Sequence, residues 1–534
     1  MKRNNVSLII FVVLFQLTIL AQKKEIVAYY PEWGPAIRNY YVKNIETSSS
    51  ANKITVLNYA FVEPGPDSSG NITAKFMNPY LDYQQVYSAD SSVDGVADDS
   101  TQPLRGQFNQ LRKLKTKYPE LKIVISIGGW TGSALFSDAA LTSESREKFV
   151  NDCIDKFIYG NLPKRNNVGG NGVAAGIFDG FDIDWEFPVT GGEEGIHHNK
   201  NDRENLTELI SLFRKKLDGL KPGFLLTAAI PARGGDLWKF NLKKDQAYLD
   251  WYNLMTYDFH GSWDNKADHH TNLFSPPADT IFKGIKESFA GSVLYLVDSV
   301  GVSPKKIVPG AAFYGRGWKV IDSTNYGLYQ QGSVAKGISE SGFNDYKNLA
   351  YLKKIGYEYH WDNNAMAPWL FNPKDSTIWS FDDAESVALK TRFTIAHNLR
   401  GLMLWEISGD DSVGTLVNTI YSRNMPDIKF HKVRAGRKSP IISITIPTGS
   451  ETIHPGSDVI LNINEIKKDA PVVKVEYYAD NISLGYNTKP PFSWVWFNVP
   501  KGKHKIKAAA IDSEGNKKFS KEVVIYFGKH KGFY

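Results

Sequence analysis

The chain has 534 residues, of which 42% are hydrophobic, 13% aromatic and 22% charged, a composition typical of a multidomain globular protein and unlike disordered, collagen-like or coiled-coil chains. Its single cysteine excludes an internal disulfide and Cys-rich zinc sites. The net charge of +6 is unevenly distributed along the chain. From residue 432 onward there are 17 Lys and Arg and 9 Asp and Glu, whereas the preceding residues contain 46 Lys and Arg and 48 Asp and Glu. This distribution argues against a nucleic-acid enzyme with a basic catalytic domain.

The N-terminal residues are typical of a secretory signal peptide. Lys2 and Arg3 precede the apolar run 6–21, and polar residues follow it. The run is short for a membrane span, although an uncleaved anchor is the alternative, and no later segment has 18 uninterrupted apolar residues. We therefore expect a signal peptide over 1–21 and a mature chain that is exported to the cell surface, the periplasm or the medium.

Eight short β-branched or aromatic runs follow, separated by segments with helical periodicity. The candidate strands are 26–30, 54–61, 121–127, 178–185, 224–230, 251–256, 306–313 and 401–405, and the clearest helices are 104–117, 143–159, 203–220 and 384–397. This alternation predicts a (β/α)8 barrel over residues 22–430. A Gly-, Pro- and Ser-rich block, 63–102, extends the connection after the second strand, and about 318–381 forms an inserted α+β lobe.

The pattern changes after a basic linker at 431–440. Alternating strands without helices are predicted at 441–446, 458–463, 472–478, 492–497, 504–511 and 520–527. They predict an all-β, Ig-like sandwich domain over 441–534. Trp494 and Trp496 fall on one strand face, which favours the sandwich core over a carbohydrate-binding strip.

The most informative segment runs from Phe178 to Pro188. Side chains alternate along a strand, so Asp182, Asp184 and Glu186 share one face, opposite an apolar face made of Phe181, Ile183, Trp185 and Phe187. Both faces of a parallel barrel strand are covered, so the acids must point inward, where burial without a function would cost several kcal/mol each.

Position along the strand then suggests roles for these acids. Glu186 lies farthest along the strand, at the C-terminal mouth where barrel active sites form, and is the candidate general acid. Asp182 and Asp184 cannot both ionise cheaply and are expected to share a proton. By spacing alone, Asp184 and Glu186 also fit an ordinary two-carboxylate retaining pair.

The segment Asp179-x-x-Asp182-x-Asp184-x-Glu186 resembles the DxxDxDxE signature of glycoside hydrolase family 18, the chitinase family. Ser126-x-Gly128-Gly129 resembles the family's SxGG motif, and further similarity lies at 58–61, 227–231, 255–259, 312–318 and 404–406. The resemblance covers about 24–420 and implies that the lobe is the family's insertion domain. The C-terminal region more loosely resembles bacterial Ig-like modules.

The resemblance implies retaining hydrolysis in which the substrate supplies the nucleophile. Glu186 would protonate the glycosidic oxygen, and the 2-acetamido carbonyl would attack its own anomeric carbon to form an oxazolinium ion. Asp184 would orient the acetamido N–H, Asp182 would hold Asp184, and Tyr257 would bond to the acetamido oxygen. The family is an exception to the two-carboxylate mechanism.

Sugar binding requires aromatic platforms. By resemblance, Trp405 forms the floor under the sugar at the cleavage site, Trp130 forms a platform on the leaving-group side, and Trp263 extends that side. Six further residues are expected to line the cleft: Tyr29, Trp33, Met255, Asp258, Tyr314 and Arg316.

The leading hypothesis is therefore a secreted, monomeric chitinase acting on chitin or chito-oligosaccharides without a cofactor or metal. An endo-β-N-acetylglucosaminidase acting on N-glycans is the alternative. A non-catalytic lectin is disfavoured because Glu186 is retained. Cys153 and two histidine pairs are weaker candidates for a reactive thiol and for metal ligands. We predict instead that Cys153 is a small buried residue and that His197-His198 and His269-His270 are solvated loop residues.

Overall fold

A computed structural model describes residues 24–276, 287–337 and 340–424. In the C-terminal region it describes 442–446, 452–453, 459–465, 472–480, 482–487, 492–496, 499–512 and 517–527. The predicted signal peptide at 1–21 and the predicted linker at 431–440 lie outside the described residues.

Eight parallel strands close into the predicted barrel. They are β1 Glu25–Pro31, β2 Val56–Pro66, β3 Lys122–Gly128, β4 Gly180–Asp184, β5 Leu225–Pro231, β6 Trp251–Met255, β7 Ile307–Ala312 and β8 Gly401–Trp405. Each strand pairs with the next in the chain, and β1 pairs with both β2 and β8, which closes the ring. The structure confirms the (β/α)8 fold, and all strand C-termini therefore open at one mouth.

Helices surround the barrel where the periodicity predicts them. The α-helices among the described residues are Val42–Thr47, Gly106–Lys117, Phe136–Ala140, Ser143–Cys153, Asp202–Leu220, Leu242–Asp245, Phe289–Leu294, Tyr346–Leu352, Ala384–Ala396 and Thr415–Asn424. None of these described helices is both long and apolar enough to cross a membrane. Cys153 is fully buried, as expected, and packs in the main core.

Two additions enlarge one end of the barrel. The extension of β2 to Pro66 pairs with an antiparallel strand, Ile72–Phe76. The inserted lobe begins at Tyr314, almost directly after β7, and combines an antiparallel sheet with the helix Tyr346–Leu352. Its strands are Tyr314–Val320, Gly332–Val334, Phe343–Asp345, Glu358–Asp362, Ala367–Asn372 and Thr377–Phe381. Both additions follow the C-terminal ends of barrel strands and so raise walls around the mouth.

The described residues of the C-terminal region form two antiparallel-rich sheets. The first joins Ile442–Ile446, Val459–Glu465 and Trp494–Trp496, and the second joins Thr452–Ile453, Val472–Ala479, Ile482–Asn487, Gly502–Asp512, Lys517–Phe519 and Val523–Phe527. The strand Ile482–Asn487 was not predicted, although the alternation of Ile482, Leu484 and Tyr486 signals it. Trp494 is buried in this core, stacks on Tyr477 and lies 3.8 Å beneath the guanidinium of Arg392 from the barrel. The core interpretation of Trp494 is thus confirmed.

A fully buried ion pair joins the helix Ala384–Ala396 to the strand end before it. The Lys390 ammonium donates to an Asp382 oxygen at 2.6 Å and to both the carbonyl and hydroxyl oxygens of Thr271 at 2.6 Å. Asp382 also accepts from the Ala312 N–H at 3.0 Å and from the Ser386 hydroxyl at 2.6 Å. The pair therefore connects β7, the lobe and the outer helix.

Replacing Lys390 with methionine is expected to lower the free energy of unfolding by about 3–5 kcal/mol, because Asp382 would remain as an uncompensated buried carboxylate. Chemical denaturation monitored by circular dichroism measures the change. Lys390→Met/Asp382→Asn should recover part of the loss, since the amide oxygen is neutral yet still accepts hydrogen bonds. A double variant that is no more stable than the single one would contradict this explanation.

Candidate active site

The strand β4 places its acids as the alternation predicts. Phe181 packs outward on Phe213 at a ring distance of 5.2 Å, while Asp182 and Asp184 point into the barrel and are buried. Gly128 on β3 pairs with Asp184, and a Cβ there would lie 2.1 Å from the Asp184 carbonyl oxygen. Glycine at this position, with φ +109°, is what lets β3 approach β4 so closely at the mouth.

Asp182 is the deepest acid and is held by four strands. Its carboxylate accepts hydrogen bonds from Tyr29 at 2.7 Å, Ser126 at 2.8 Å, Thr227 at 2.6 Å and Asn253 at 3.0 Å. Burial raises the pKa of Asp182, and these four donors oppose that shift by stabilising the carboxylate. With both carboxylate oxygens hydrogen-bonded, Asp182 is fixed in place at the bottom of the site.

Asp184 lies between two other acids with little compensation. It is 3% exposed, and its Oδ1 has no hydrogen-bond partner. Burial, followed by the charges of Glu186 and Asp182, raises the pKa of Asp184 well above its usual range. Of the two acids that were predicted to share a proton, Asp184 therefore favours the protonated form more strongly, because Asp182 accepts hydrogen bonds from four donors.

Glu186 lies just beyond the end of β4. Its backbone N–H donates to the Ser133 hydroxyl at 2.9 Å, and that hydroxyl lies 2.8 Å from the Gly129 carbonyl oxygen to which it donates. Burial, then the charges of Asp258 and Asp236, raise the pKa of Glu186 to about 8. A carboxyl group that keeps its proton at neutral pH at the barrel mouth can act as a general acid.

Tyr257 follows β6 and faces the same acids. Its hydroxyl is 3.5 Å from the Met403 sulfur, and its ring meets Gly310, where a Cβ would approach to 2.6 Å. Burial and the charge of Asp184 raise the pKa of Tyr257 well above its usual range, so the phenol remains a hydrogen-bond donor. The structure thus brings all four predicted catalytic residues to one mouth.

A charged cluster forms the adjoining wall. Both Asp258 oxygens accept from Arg316 at 2.8 Å, and the Tyr314 hydroxyl donates to Asp258 at 2.7 Å. Burial opposes ionisation of Asp258, but the charge and hydrogen bonds of Arg316 outweigh it and hold the pKa of Asp258 well below its usual range. The lobe strand that carries Tyr314 and Arg316 is in this way attached to the end of β6.

The three tryptophans that were predicted to bind sugars all have rings that are exposed or partly exposed. Trp405 is partly exposed, stacks on Phe61 at a ring distance of 5.6 Å and contacts Trp33 at 6.5 Å. Trp130 and Trp263 are 50% and 51% exposed, so their rings are available to a ligand. Trp263 lies 5.3 Å from the Arg316 guanidinium, which connects this ring to the charged wall.

Some predicted lining residues lie below the cleft surface. Tyr29 is fully buried; its hydroxyl holds Asp182 and its ring packs 5.4 Å from Trp405, so it supports the site from beneath. Tyr314 is also buried, through stacking on Phe343 at 4.8 Å. Met255 is partly exposed at the end of β6 and packs in the inner cluster with Trp405.

The interpretation of His269 and His270 as solvated is wrong. Both are buried; His269 packs on Trp369 at 5.9 Å, and His270 packs on Tyr314 at 5.0 Å, with its Nδ1 3.7 Å from Asp258. The insertion lobe covers this barrel loop, a contact that the local polar sequence does not reveal. His197 and His198 are exposed, as expected.

Several contacts around the site were not predicted. Asn253 is a single polar residue within the apolar run of β6, a signal for an inward hydrogen-bonding role. Phe187 follows the end of β4 and packs, partly buried, against the main core cluster that contains Phe181 and Trp185, as its predicted outer-face position implies, and its ring also meets Trp130 edge-on at 6.5 Å. Among the described residues, no group of three or more His, Cys, Asp or Glu side chains is placed to hold a metal ion.

Comparison with known proteins gives a consistent result. The sequence profile of the glycosyl hydrolases family 18 matches residues 25–410, and that of a bacterial Ig domain matches 440–508. Chitinase A1 of Niallia circulans is 36% identical over 429 residues, and chitinase C of Streptomyces lividans is 36% identical over 391 residues. These alignments take in 73% and 72% of this chain but only 57% of each relative, so the chain spans little more than half the length of these proteins.

Solved structures agree with the sequence matches. The catalytic domain of psychrophilic chitinase B from Arthrobacter TAD20 superposes with a TM-score of 0.69 at 34% identity. The superposition covers 75% of this chain and 95% of that domain.

Proposed function

Since the chain belongs to the glycosyl hydrolases family 18, we propose that it is a chitinase that hydrolyses β-1,4 links between N-acetylglucosamine units. The observation that carries the proposal is the pair of acids buried at the mouth, Glu186 with a pKa raised to about 8 and Asp184 with a pKa raised well above its usual range by burial and its acidic neighbours. A two-carboxylate retaining pair requires an ionised nucleophile. A protonated Asp184 is unsuited to that role, which supports a nucleophile supplied by the substrate.

The proposed reaction proceeds in two steps. Glu186 donates its proton to the glycosidic oxygen as the C1–O bond breaks, and the acetamido oxygen of the same sugar bonds to C1. Asp184 orients the acetamido N–H, and Tyr257 donates to the acetamido oxygen. In the second step the Glu186 carboxylate takes a proton from water, and the water oxygen attacks C1 from the face that the leaving group vacated, while the bond between C1 and the acetamido oxygen breaks and restores the neutral acetamido group. The product keeps the β configuration, and Glu186 regains its proton.

The nucleophile can be tested with a modified oligosaccharide. A chito-oligosaccharide with a free amine in place of the acetamido group on the sugar at the cleavage site lacks the attacking oxygen. We expect no cleavage at that bond and normal cleavage of the fully acetylated compound. Equal cleavage of both would contradict a substrate-supplied nucleophile.

The pH dependence follows from the charges around Glu186. A general acid must hold its proton, so kcat/KM is expected to fall as pH rises through the pKa of Glu186, about 8. Asp258→Asn removes the largest of the charges that raise this pKa and should move the alkaline limb to lower pH, and Asp236→Asn should move it less in the same direction. Asp179→Asn, outside the mouth, is the control and should leave the limb in place. A limb unmoved by Asp258→Asn would contradict the electrostatic explanation.

The substrate is proposed to be a long linear polymer. The exposed rings of Trp130 and Trp263 and the partly exposed ring of Trp405, at the end of β8, provide several sugar platforms rather than one. Release of oligomers from colloidal chitin without release of glycans from N-glycoproteins would support the chitinase. The opposite result would favour an endo-β-N-acetylglucosaminidase, and binding without hydrolysis would favour a lectin.

We also propose that the protein is secreted and monomeric. The predicted signal peptide supports secretion, which cell fractionation tests. Light scattering of the purified protein tests the monomeric state.

A further inference from the structure

An exposed tryptophan, Trp238, lies on the loop that follows β5. It is 47% exposed, yet the residues on either side of it in the short turn Leu237–Lys239 are buried. Its indole N–H donates to the Gly235 carbonyl at 2.8 Å, which satisfies the polar edge of the ring and limits its rotation. The turn therefore presents an apolar ring in a fixed orientation, with close to half of its surface in solvent.

Lys239 attaches this turn to the mouth of the barrel. Its ammonium bonds to Asp236 at 2.7 Å and to the Thr190 carbonyl at 2.5 Å, and lies 4.8 Å from the ring of Phe187. Phe187 directly follows Glu186 in the chain and meets Trp130 edge-on at 6.5 Å. A continuous set of contacts thus leads from the platform Trp130 through Phe187 and Lys239 to the turn that carries Trp238.

The electrostatics place the same turn near the reacting atoms. Asp236, which precedes Leu237, is close enough for its charge to raise the pKa of Glu186. The exposed ring of Tyr159 provides the contrast, since it lies on the helical layer beside Asp155 and Lys216, away from the mouth. Single exposed aromatic residues are common on protein surfaces, so it is the anchoring to the site wall that distinguishes Trp238.

We propose that Trp238 is a sugar-stacking platform that binds a residue of the leaving-group portion of the chain, beyond Trp130. The inference rests on the proposed function and extends it by naming a residue that determines preference for longer substrates. Aromatic stacking contributes about 0.5–1.5 kcal/mol beyond simple burial, which corresponds to about a two- to tenfold change in affinity.

The test compares two substrates in Trp238→Ala, Trp238→Phe and, as a matched control, Tyr159→Ala. A fluorogenic N,N′-diacetylchitobioside places only its fluorophore on the leaving-group side, whereas N-acetylchitohexaose can extend farther along it. For Trp238→Ala we expect kcat/KM to fall about two- to tenfold on the hexamer, mainly through KM, and to stay unchanged on the fluorogenic disaccharide. Trp238→Phe should retain most of the hexamer activity, and Tyr159→Ala should behave like the unmodified protein.

Failure of this inference and failure of the proposed function give different results. An unchanged hexamer kcat/KM, or an equal loss on both substrates, would overturn the role of Trp238. An unmodified protein that cleaves neither substrate would overturn the proposed function instead. In that case calorimetric titration with the hexamer still decides the binding role, since Trp238→Ala should weaken binding about two- to tenfold and unchanged affinity would refute it.

Discussion

Replacing Glu186 with glutamine is expected to lower the turnover of chito-oligosaccharides by about 10²- to 10⁴-fold, the usual contribution of a general acid. Glutamine has nearly the same shape but no proton to donate at neutral pH. Because Asp182, Asp184 and the aromatic platforms do not depend on the Glu186 proton, oligosaccharide affinity should remain within a few fold. Steady-state kinetics and calorimetry on the same preparation measure the two quantities.

The matched control for this variant is Glu63→Gln. Glu63 is a half-buried carboxyl on the extension of β2, and burial raises its pKa as well. The same substitution there should leave turnover essentially unchanged. Near-normal turnover in Glu186→Gln would contradict the assignment of the acid, and a joint loss of turnover and binding would indicate that the variant had disturbed the cleft.

Asp184→Asn is expected to lower kcat by about 10²- to 10³-fold, comparable with removal of one group that stabilises a transition-state charge. Asparagine can still form a hydrogen bond, but it has no acidic proton to pass to the neighbouring Asp182, so it cannot become negative as the oxazolinium ion develops positive charge. The loss should appear in kcat more than in KM, because the charge develops only after substrate has bound.

Asp179→Asn provides the comparison within the same segment. Asp179 lies at the opposite end of β4, where it pairs with Lys115 at 2.6 Å and accepts from the Ile123 N–H at 2.9 Å. This variant should lose some stability while keeping its kcat. Equal kinetic losses in Asp179→Asn and Asp184→Asn would refute a specific role for Asp184.

The barrel and its acids could be predicted because local patterns determine them. The strands of the closed barrel are short apolar runs, and β4 shows strict alternation that leaves Asp182 and Asp184 no position except the interior. Their location at the C-terminal mouth then follows from the direction of the strand. For Asp182 and Asp184, the local alternation and the closed barrel therefore require the same inward orientation of the side chain.

The remaining features depend on contacts between segments distant in the chain. The four donors to Asp182 come from β1, β3, β5 and β6, so the proton preference of Asp184 is visible only in the folded site. His270 is buried because the lobe covers its loop, although its neighbours in sequence are polar. Trp238 lies on an irregular loop, where periodicity gives no orientation.

The anomeric form of the first products tests the central claim most directly. Proton NMR of freshly hydrolysed N-acetylchitohexaose, recorded before mutarotation, distinguishes the two anomers at the new reducing end. Retaining chemistry through Glu186 and the substrate's acetamido group predicts β-anomer as the initial product. Initial α-anomer would show direct attack of water on the opposite face of the sugar and would contradict the proposed mechanism.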